Sequence, residues 1–284
     1  MSKKKDGLKT WLSRPSLNRS VTIPLTRPFT QRITNLNELN LLELEPAAAY
    51  SLRSFNPNSD PNVVNVRRSS DGATSNFKAS EVIDGTLVAF VGAGNDGHVT
   101  TWYDQSVNGR NSTQSTASSQ PKIVDSGALV TDGSGNPAIV GDGVDDTLAH
   151  PTLTDELDSS DFLVTAAYKG EVAMGINGAV PRLYLTSSSM SYNTLGTVSF
   201  ATQAGRKVIS FQVLGNTQEV FANGTSLGKG SETQVAIGQN MFNVLRAGST
   251  FSDGPLMEVV VFGNNQSANR PAIETNINDH FAIY

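Results

Sequence analysis

The segment VGDGVDDTL places three carboxylates, those of Asp142, Asp145 and Asp146, among two glycines. Carboxylate oxygens in such a loop can bind Ca²⁺, which prefers hard oxygen ligands. The spacing does not match that of an EF-hand loop, and aspartate side chains also cap tight turns by accepting hydrogen bonds from backbone N–H groups. The segment therefore predicts either a calcium site or an aspartate-capped turn, and the turn is the commoner outcome.

The run from Gly92 to Gly97, GAGNDG, matches the G-x-G-x-x-G pattern of dinucleotide-binding loops. That function requires a strand before the glycines and a helix after them. The residues that follow, HVTTWYDQ, are strand-like instead. The run therefore predicts a tight turn between two elements.

Other signatures of catalysis or metal binding are weak in this sequence. The chain has no cysteine, and His98, His150 and His280 do not stand at metal-binding spacing. No Walker A loop is present. We therefore expect no cofactor and no metal site other than the calcium alternative at the aspartate loop. A pair of carboxylates for glycoside hydrolysis would come from distant strands, so the sequence does not identify one.

The elements that must position these residues are mostly strands. Runs of four to eight residues rich in Val, Ile, Phe and Thr alternate with Gly, Asn, Asp and Ser, as in TLVAFVG, FLVTAAY, KVISFQVLG and LMEVVVFG. Such spacing predicts an all-β sandwich. The dipeptide Asn223-Gly224 indicates a hairpin, and AAAYSLRSF, from Ala47, fits a short helix or turn. Near the C-terminus, Ile273, Ile277 and Phe281 share one face of a predicted short helix, with Ser267 as its cap.

Residues 1–46 differ from the rest and predict an extended arm. The first 32 residues hold eight Lys or Arg and one acid, whereas the whole chain has a net charge of −5. A basic arm on an acidic body is typical of docking onto an acidic partner, although a solvated tail has the same composition. Nucleic acid is not favoured, because few aromatic residues accompany the charges. The candidate anchoring residues are Lys3, Lys4, Lys5, Lys9, Trp11, Arg14, Arg19, Arg27 and Arg32.

No stretch is long and apolar enough to span a membrane, and no apolar run follows the basic N-terminus as in a signal peptide. We therefore expect a soluble protein that is made in the cytoplasm, with no membrane partner.

Two motifs carry a family resemblance. The first is the run from Arg67 to Thr74, RRSSDGAT, and the second is the run from Trp102 to Ser106, WYDQS, which Asn108-Gly109 follows. Residues 47–125 resemble the catalytic β-sandwich of the α-L-arabinofuranosidase B family. The motif residues are Arg67, Arg68, Asp71, Trp102, Tyr103, Asp104, Gln105 and Ser106.

The resemblance fails at the residues that would do the chemistry. That family's nucleophile is a glutamate in the middle of the domain, but residues 175–192 here contain no Asp or Glu. Its acid/base aspartate precedes the last strands, where Asp253 is the nearest acid in this chain. The resemblance therefore implies the scaffold of the enzyme without its working carboxylates.

The same motifs, followed by DGVDDTL at residues 142–148 and by the C-terminal run QSANRPAIETNIN at residues 266–278, resemble virion structural proteins of tailed bacteriophages over residues 47–284. Those proteins carry a concanavalin A-like, laminin G-like jelly roll. This resemblance implies a non-enzymatic fibre, spike or decoration of the capsid, neck or tail, with residues 1–46 as anchoring arm and 47–284 as jelly-roll body. It further implies other virion proteins as partners, a location in the virion and a trimer. The alternative function is an arabinofuranosidase-like glycoside hydrolase.

Binding of a host-surface polysaccharide would suit a displayed jelly roll. Tyr184, Tyr192 and Phe200 lie in polar, loop-like segments and are the candidate sugar-binding aromatics. Packing in the core or at the edge of the sandwich is the commoner explanation for each of these residues.

The WYDQS motif itself indicates a strand end and a sharp turn. Trp102 and Tyr103 should point to opposite faces, with one of them buried. Asp104 and Ser106 are placed to accept hydrogen bonds from turn N–H groups, and Asn108-Gly109 should supply positive φ angles.

Overall fold

The structure is a computed structural model, and it describes residues 40–284 except for 151–156, 158–160, 172, 178–182, 186–187, 193–196, 202–204 and 232–240. In the described residues the strands pair antiparallel throughout. None of their helices is both long and apolar enough to cross a membrane.

The strands are β1 (Ala48–Ser51), β2 (Asn62–Arg68), β3 (Thr74–Lys78), β4 (Gly97–Trp102), β5 (Ser112–Thr113), β6 (Lys122–Asp125), β7 (Ala128–Leu129), β8 (Leu148–His150), β9 (Asp161–Lys169), β10 (Met174–Asn177), β11 (Leu183–Leu185), β12 (Ser189–Tyr192), β13 (Thr197–Ser199), β14 (Arg206–Leu214), β15 (Thr217–Ala222), β16 (Thr225–Ser231), β17 (Met241–Val244), β18 (Arg246–Ala247), β19 (Thr250–Phe251) and β20 (Leu256–Phe262). The α-helices are α1 (Ala79–Ile83), α2 (Thr86–Val91) and α3 (Arg270–Phe281), and short 3-10 helices span Leu41–Leu44 and Ala117–Ser119.

Two sheets form the body. The six-stranded sheet has the order β1-β20-β9-β14-β15-β16. The larger sheet follows β13-β12-β11-β10-β17-β8-β5-β4-β2-β3, and β6 and β7 extend it beside β4. A two-stranded ribbon of β18 and β19 completes the topology. This arrangement confirms the all-β sandwich that the sequence predicts.

Strand β20 explains why the apolar run PLMEVVVFG is nearly continuous. Val259 and Val261 face the main core between the sheets. Val260 and Phe262 face a second core on the opposite side of the six-stranded sheet. Because both faces are covered, each residue of the strand is buried, and alternation of apolar and polar residues disappears.

Helix α3 forms the cover of that second core. Ile273, Ile277 and Phe281 are buried in it, as their spacing predicts. The predicted cap is wrong, however. The helix begins after Asn269, and Ser267 donates its hydroxyl to Asn265 instead.

Two further segments differ from the sequence predictions. The run TLVAFVG, which the sequence predicts as a strand, forms α2 instead. The side chain of Asp84 accepts the N–H of Thr86 at 2.8 Å at the start of this helix, and the side chains of Leu87 and Val91 are buried on one of its faces. The residues AAYS, expected in a helix or turn, form β1, because their backbone pairs with β20 and the N–H of Ala49 binds the Asp104 carboxylate.

Both predicted glycine turns are present. Gly92, with φ of 83°, ends α2, and β4 begins at Gly97. Asn223 and Gly224 have φ of 49° and 78° and join β15 to β16. Leu41, inside the predicted arm, is buried in the second core. The boundary between arm and body stays a prediction.

Candidate functional site

A cleft of about 490 Å³ opens beside β6 and β7. We call it the acidic cleft, because three of its lining residues are aspartates. The polar residues that line it are Lys122, Asp125, Asp142 and Asp146, and the apolar ones include Leu129, Val130 and Val140.

Backbone contacts between distant segments build this cleft. Lys122 and Val140 exchange both backbone hydrogen bonds, at 2.8 and 2.9 Å, which brings β6 beside the loop from Gly141 to Asp146. The carbonyl oxygen of Ser252 accepts the N–H of Gly143 at 3.1 Å. A side chain at Gly141 would collide with that same carbonyl oxygen. The loop therefore packs against residue 252, and only glycine fits at position 141.

Asp142 caps the loop in the way that the turn interpretation predicts. Its Oδ1 accepts the backbone N–H groups of Val144 at 2.8 Å, Asp145 at 3.1 Å and Asp146 at 3.4 Å. Partial burial alone would raise the pKa of Asp142, but these three N–H groups outweigh it and lower that pKa below its ordinary value. Asp142 is therefore an ionised carboxylate over most of the pH range, and its three backbone bonds all go to Oδ1.

Asp146 has the opposite character. Its side chain is buried, with a residue exposure of 4%, and its Oδ2 accepts the N–H of Asp142 at 3.0 Å. Burial, and then the negative charge of Asp142, raise the pKa of Asp146 to about 6. The loop thus places a carboxyl group that holds its proton in mildly acidic solution beside one that does not.

Lys122 forms two ion pairs beside the cleft, and Asp145 is hydrogen-bonded to a serine. Lys122 Nζ lies 2.9 Å from carboxylate oxygens of both Asp125 and Asp96, which raise the pKa of the lysine and keep it charged. Asp145 Oδ2 accepts the hydroxyl of Ser119 at 2.9 Å. The cleft therefore combines an ammonium group on one wall with carboxylates on the other.

The three aspartates could together hold a cation. One carboxylate oxygen from each of Asp142, Asp145 and Asp146 lies within 4.8 Å of the other two. Asp142 Oδ1 and Asp146 Oδ2 are also engaged with the backbone, so the same geometry serves the turn. Asp253 stands beside this loop, since its Cβ would lie 3.4 Å from a Cβ at Gly143. Sequence reasoning grouped Asp142, Asp145 and Asp146 but gave no signal that Asp253 lies beside them.

The WYDQS motif forms a structural corner rather than a cleft wall. Asp104 Oδ1 accepts the N–H groups of Ala49 and Ser106 at 2.8 and 2.9 Å. Its Oδ2 accepts the Ser106 hydroxyl at 2.7 Å and the Arg110 N–H at 2.8 Å. Trp102 is fully buried and Tyr103 is partly exposed, as the alternation predicts.

Two details of this corner differ from the prediction or extend it. Gly109 has a φ of 64°, but Asn108 is not in the positive region, and its side chain donates to the carbonyls of Pro46 and Ala47 instead. Gln105 Nε2 donates to the carbonyls of Ser51 and Arg53, a role that the sequence did not indicate.

The first motif is also structural. Arg68 binds Asp71 through two hydrogen bonds of 2.7 and 2.6 Å and lies over the ring of Phe90 at 4.9 Å. Arg67 donates to the side chain of Gln120 at 2.7 Å.

The predicted sugar-binding aromatics and the predicted arm are largely outside the described part of the chain. Tyr184 lies in β11 and Tyr192 in β12, but their side chains are not described, and Phe200 packs partly buried against the main core. The anchoring residues from Lys3 to Arg32 are not described either. Anchoring through them, the trimer, the host polysaccharide and the virion location stay predictions.

Comparison with solved structures shows which proteins share this fold. No protein-family model and no curated protein matches the sequence. An arabinofuranosidase complexed with arabinofuranosyl-α-1,2-xylobiose matches with a TM-score of 0.61 at 14% identity, over 84% of this chain and 64% of that one. A GH54 α-L-arabinofuranosidase mutant soaked with 4-nitrophenyl α-L-arabinofuranoside matches with 0.56 at 13% identity, over 81% and 61%. A GH54 enzyme soaked with a cyclic sulfate inhibitor matches with 0.54 at 11% identity.

At this identity the likeness establishes a shared β-sandwich fold, and the chain spans a little over three fifths of these neighbours' length. It also corrects the prediction of a non-enzymatic phage virion protein. The neighbours are glycoside hydrolases, and a virion identity has no support among them. The prediction rested on motif positions in the sequence, which do not show how the acids of the folded chain come together.

Proposed function

We propose that this protein is an arabinofuranosidase-like glycoside hydrolase whose chemistry takes place in the acidic cleft. One observation carries the proposal: Asp142 and Asp146 share a cleft and their pKa values are moved in opposite directions. Pairs of carboxyl groups with such divergent pKa values are typical of glycoside hydrolases, in which one group is an acid and the other an ionised carboxylate. The arabinofuranoside-bound neighbours support the substrate class.

The geometry assigns a role to each group. Asp146, protonated below about pH 6, would donate its proton to the leaving glycosidic oxygen. Asp142 Oδ2 would attack the anomeric carbon as the bond to the leaving oxygen breaks, which forms a glycosyl ester. Water, deprotonated by the Asp146 carboxylate, would then release the sugar and regenerate both groups.

The separation of the two carboxyl groups favours this two-step route. One carboxylate oxygen of each group lies within 4.8 Å of one on the other, which is shorter than the separation in inverting enzymes, where a water molecule must fit between the two carboxyl groups. We therefore propose hydrolysis with retained configuration. A cleft of about 490 Å³ accommodates one or two sugar residues.

Release of 4-nitrophenol from 4-nitrophenyl α-L-arabinofuranoside at pH 5 tests the proposal. Asp146→Asn keeps the size of the side chain but cannot donate the proton, so release should fall by about 10²–10⁴-fold. Asp279→Asn, an exposed position on α3, is the matched control and should leave the rate unchanged. Absence of release from the folded protein across arabinofuranosides and common pyranosides would end the proposal, as would an Asp146→Asn variant as active as the control.

A further inference from the structure

A second cleft, of about 480 Å³, lies between the segment that follows β1 and helix α3. We call it the polar cleft. Its walls include Arg53, Ser54, Asn56, Asn58, Asn276 and His280. It shares no lining residue with the acidic cleft, so it requires an account of its own.

The WYDQS motif fixes one wall of the polar cleft. Gln105 Nε2 donates to the carbonyls of Ser51 and Arg53 at 3.1 and 2.8 Å. Its Oε1 accepts the N–H of Phe55 at 3.1 Å. A single side chain thus holds three alternate residues of the segment, and Arg53 is presented at a fixed position.

The guanidinium group of Arg53 is fixed and its charge is neutralised by a buried carboxylate. Its Nε and Nη2 bind the Glu258 carboxylate at 2.7 and 3.0 Å, and Nη2 also donates to Asn276 Oδ1 at 2.8 Å. The Glu258 side chain is fully buried. The guanidinium lies against the rings of Phe55 and Phe281, at 5.2 and 5.7 Å. Among the described residues, Arg53 Nη1 makes no hydrogen bond, so its two N–H groups can still donate to a ligand. The Arg53–Glu258 pair as a whole adds no net charge to the polar cleft.

Residues 54–58, which form the rim of the polar cleft, are ordered by hydrogen bonds among themselves. Ser54 donates its hydroxyl to the carbonyl of Asn56 at 2.7 Å. Asn56 Oδ1 accepts the N–H of Asn58 at 2.9 Å. Within the described part of the chain the side-chain nitrogens of Asn56 and Asn58 make no hydrogen bond, so both amides retain donors. A rim that is already ordered loses little conformational entropy when a ligand binds.

We propose that the polar cleft is a binding site for a neutral sugar residue. Amide groups that both donate and accept suit hydroxyl groups, which also do both. An anionic ligand would need an unbalanced cation, but Arg53 is already paired with Glu258, and Glu43 adds a carboxylate to the lining. The volume matches that of a small-ligand site. This site goes beyond the proposed hydrolase and does not depend on it.

The test uses the full-length ¹⁵N-labelled protein and follows the side-chain signals of Asn56, Asn58 and Arg53. The probes are L-arabinose, D-xylose, D-galactose and D-glucose, with D-glucuronate as the charged comparison. We expect at least one neutral sugar to shift these signals with a Kd of about 1–10 mM, as befits a few hydrogen bonds. Glucuronate should bind more weakly.

Two variants and two controls make the result specific. Asn56→Asp keeps the Oδ1 acceptor for Asn58 but removes the amide donor, and Asn58→Ala removes an amide without adding charge. Each should weaken binding about tenfold, as expected for one lost hydrogen bond. Asn216→Asp, in the exposed turn between β14 and β15, should bind like the parent.

Asp146→Asn should also bind like the parent, which separates this site from the hydrolase proposal. Lack of any shift at about 100 mM of each neutral sugar, roughly ten times the upper end of the expected Kd, would overturn the inference. So would unchanged affinity in both cleft variants, or shifts caused by glucuronate alone.

Discussion

Replacement of Asp104 by alanine removes the central acceptor of the WYDQS corner. The carboxylate accepts four hydrogen bonds, three of them from the backbone N–H groups of Ala49, Ser106 and Arg110. Water can replace only some of these partners, because Ala49 lies in the buried strand β1. The bond to Ala49 also ties the corner to the six-stranded sheet, so both elements lose a constraint.

The magnitude follows from the number of bonds. At roughly 1 kcal/mol for each bond, somewhat more for the buried N–H that is left without a partner, Asp104→Ala should lower the free energy of unfolding by about 3–5 kcal/mol. For a body of this size that corresponds to a fall in Tm of roughly 6–20 °C. Asp104→Asn retains one oxygen acceptor and should lose about half as much.

Thermal unfolding followed by circular dichroism measures this effect, with denaturant unfolding as a second determination. Asp71→Ala is the matched control, because Asp71 is exposed and its pair with Arg68 lies at the surface, where such pairs contribute little. An Asp104→Ala protein that melts with the parent would show that the four hydrogen bonds do not support the fold.

Further predictions concern the acidic cleft. The pKa of Asp146 in the folded protein is raised to about 6 from an ordinary value of 3.8. Its contribution to stability is therefore fully present below about pH 4 and is lost as the pH rises through 6. The Tm difference between the parent and Asp146→Asn should change across that window, and a constant difference would contradict the raised pKa. Gly141→Ala should cost about 1–3 kcal/mol, because the new methyl group meets the Ser252 carbonyl; calorimetry would refute the close approach if the Tm were unchanged. Addition of Ca²⁺ should leave the Tm of the parent protein unchanged, because Asp142 and Asp146 already cap the loop. If Ca²⁺ raises the Tm of the parent but not that of Asp145→Asn, the calcium interpretation is favoured instead.

The sandwich and its terminal helix could be predicted from sequence because their signals are local. The residues of β9, β14 and β20 are apolar and β-branched, and Ile273, Ile277 and Phe281 repeat at helical spacing. Local signals failed where tertiary context decided the outcome. Helix α2 has the composition of a strand, and β1 is a strand because β20 and Asp104 engage its backbone.

The candidate site was predictable only in part. The three aspartates are visible in VGDGVDDTL, but the cleft depends on contacts that no short pattern contains. Lys122 must pair with Val140, and Ser252 must approach Gly141. The divergent pKa values arise from burial of one carboxyl group and backbone donors on the other. Those are properties of the folded loop, and comparison of motif positions alone led to the wrong functional prediction.

The dependence of 4-nitrophenyl α-L-arabinofuranoside hydrolysis on pH, measured for the parent protein and for Asp146→Asn, tests the central claim most directly. The account predicts a parent rate that falls as the pH rises through about 6, where Asp146 loses its proton, and a loss of about 10²–10⁴-fold in Asp146→Asn. Hydrolysis that is absent from the folded parent, or that persists undiminished in Asp146→Asn, would contradict it.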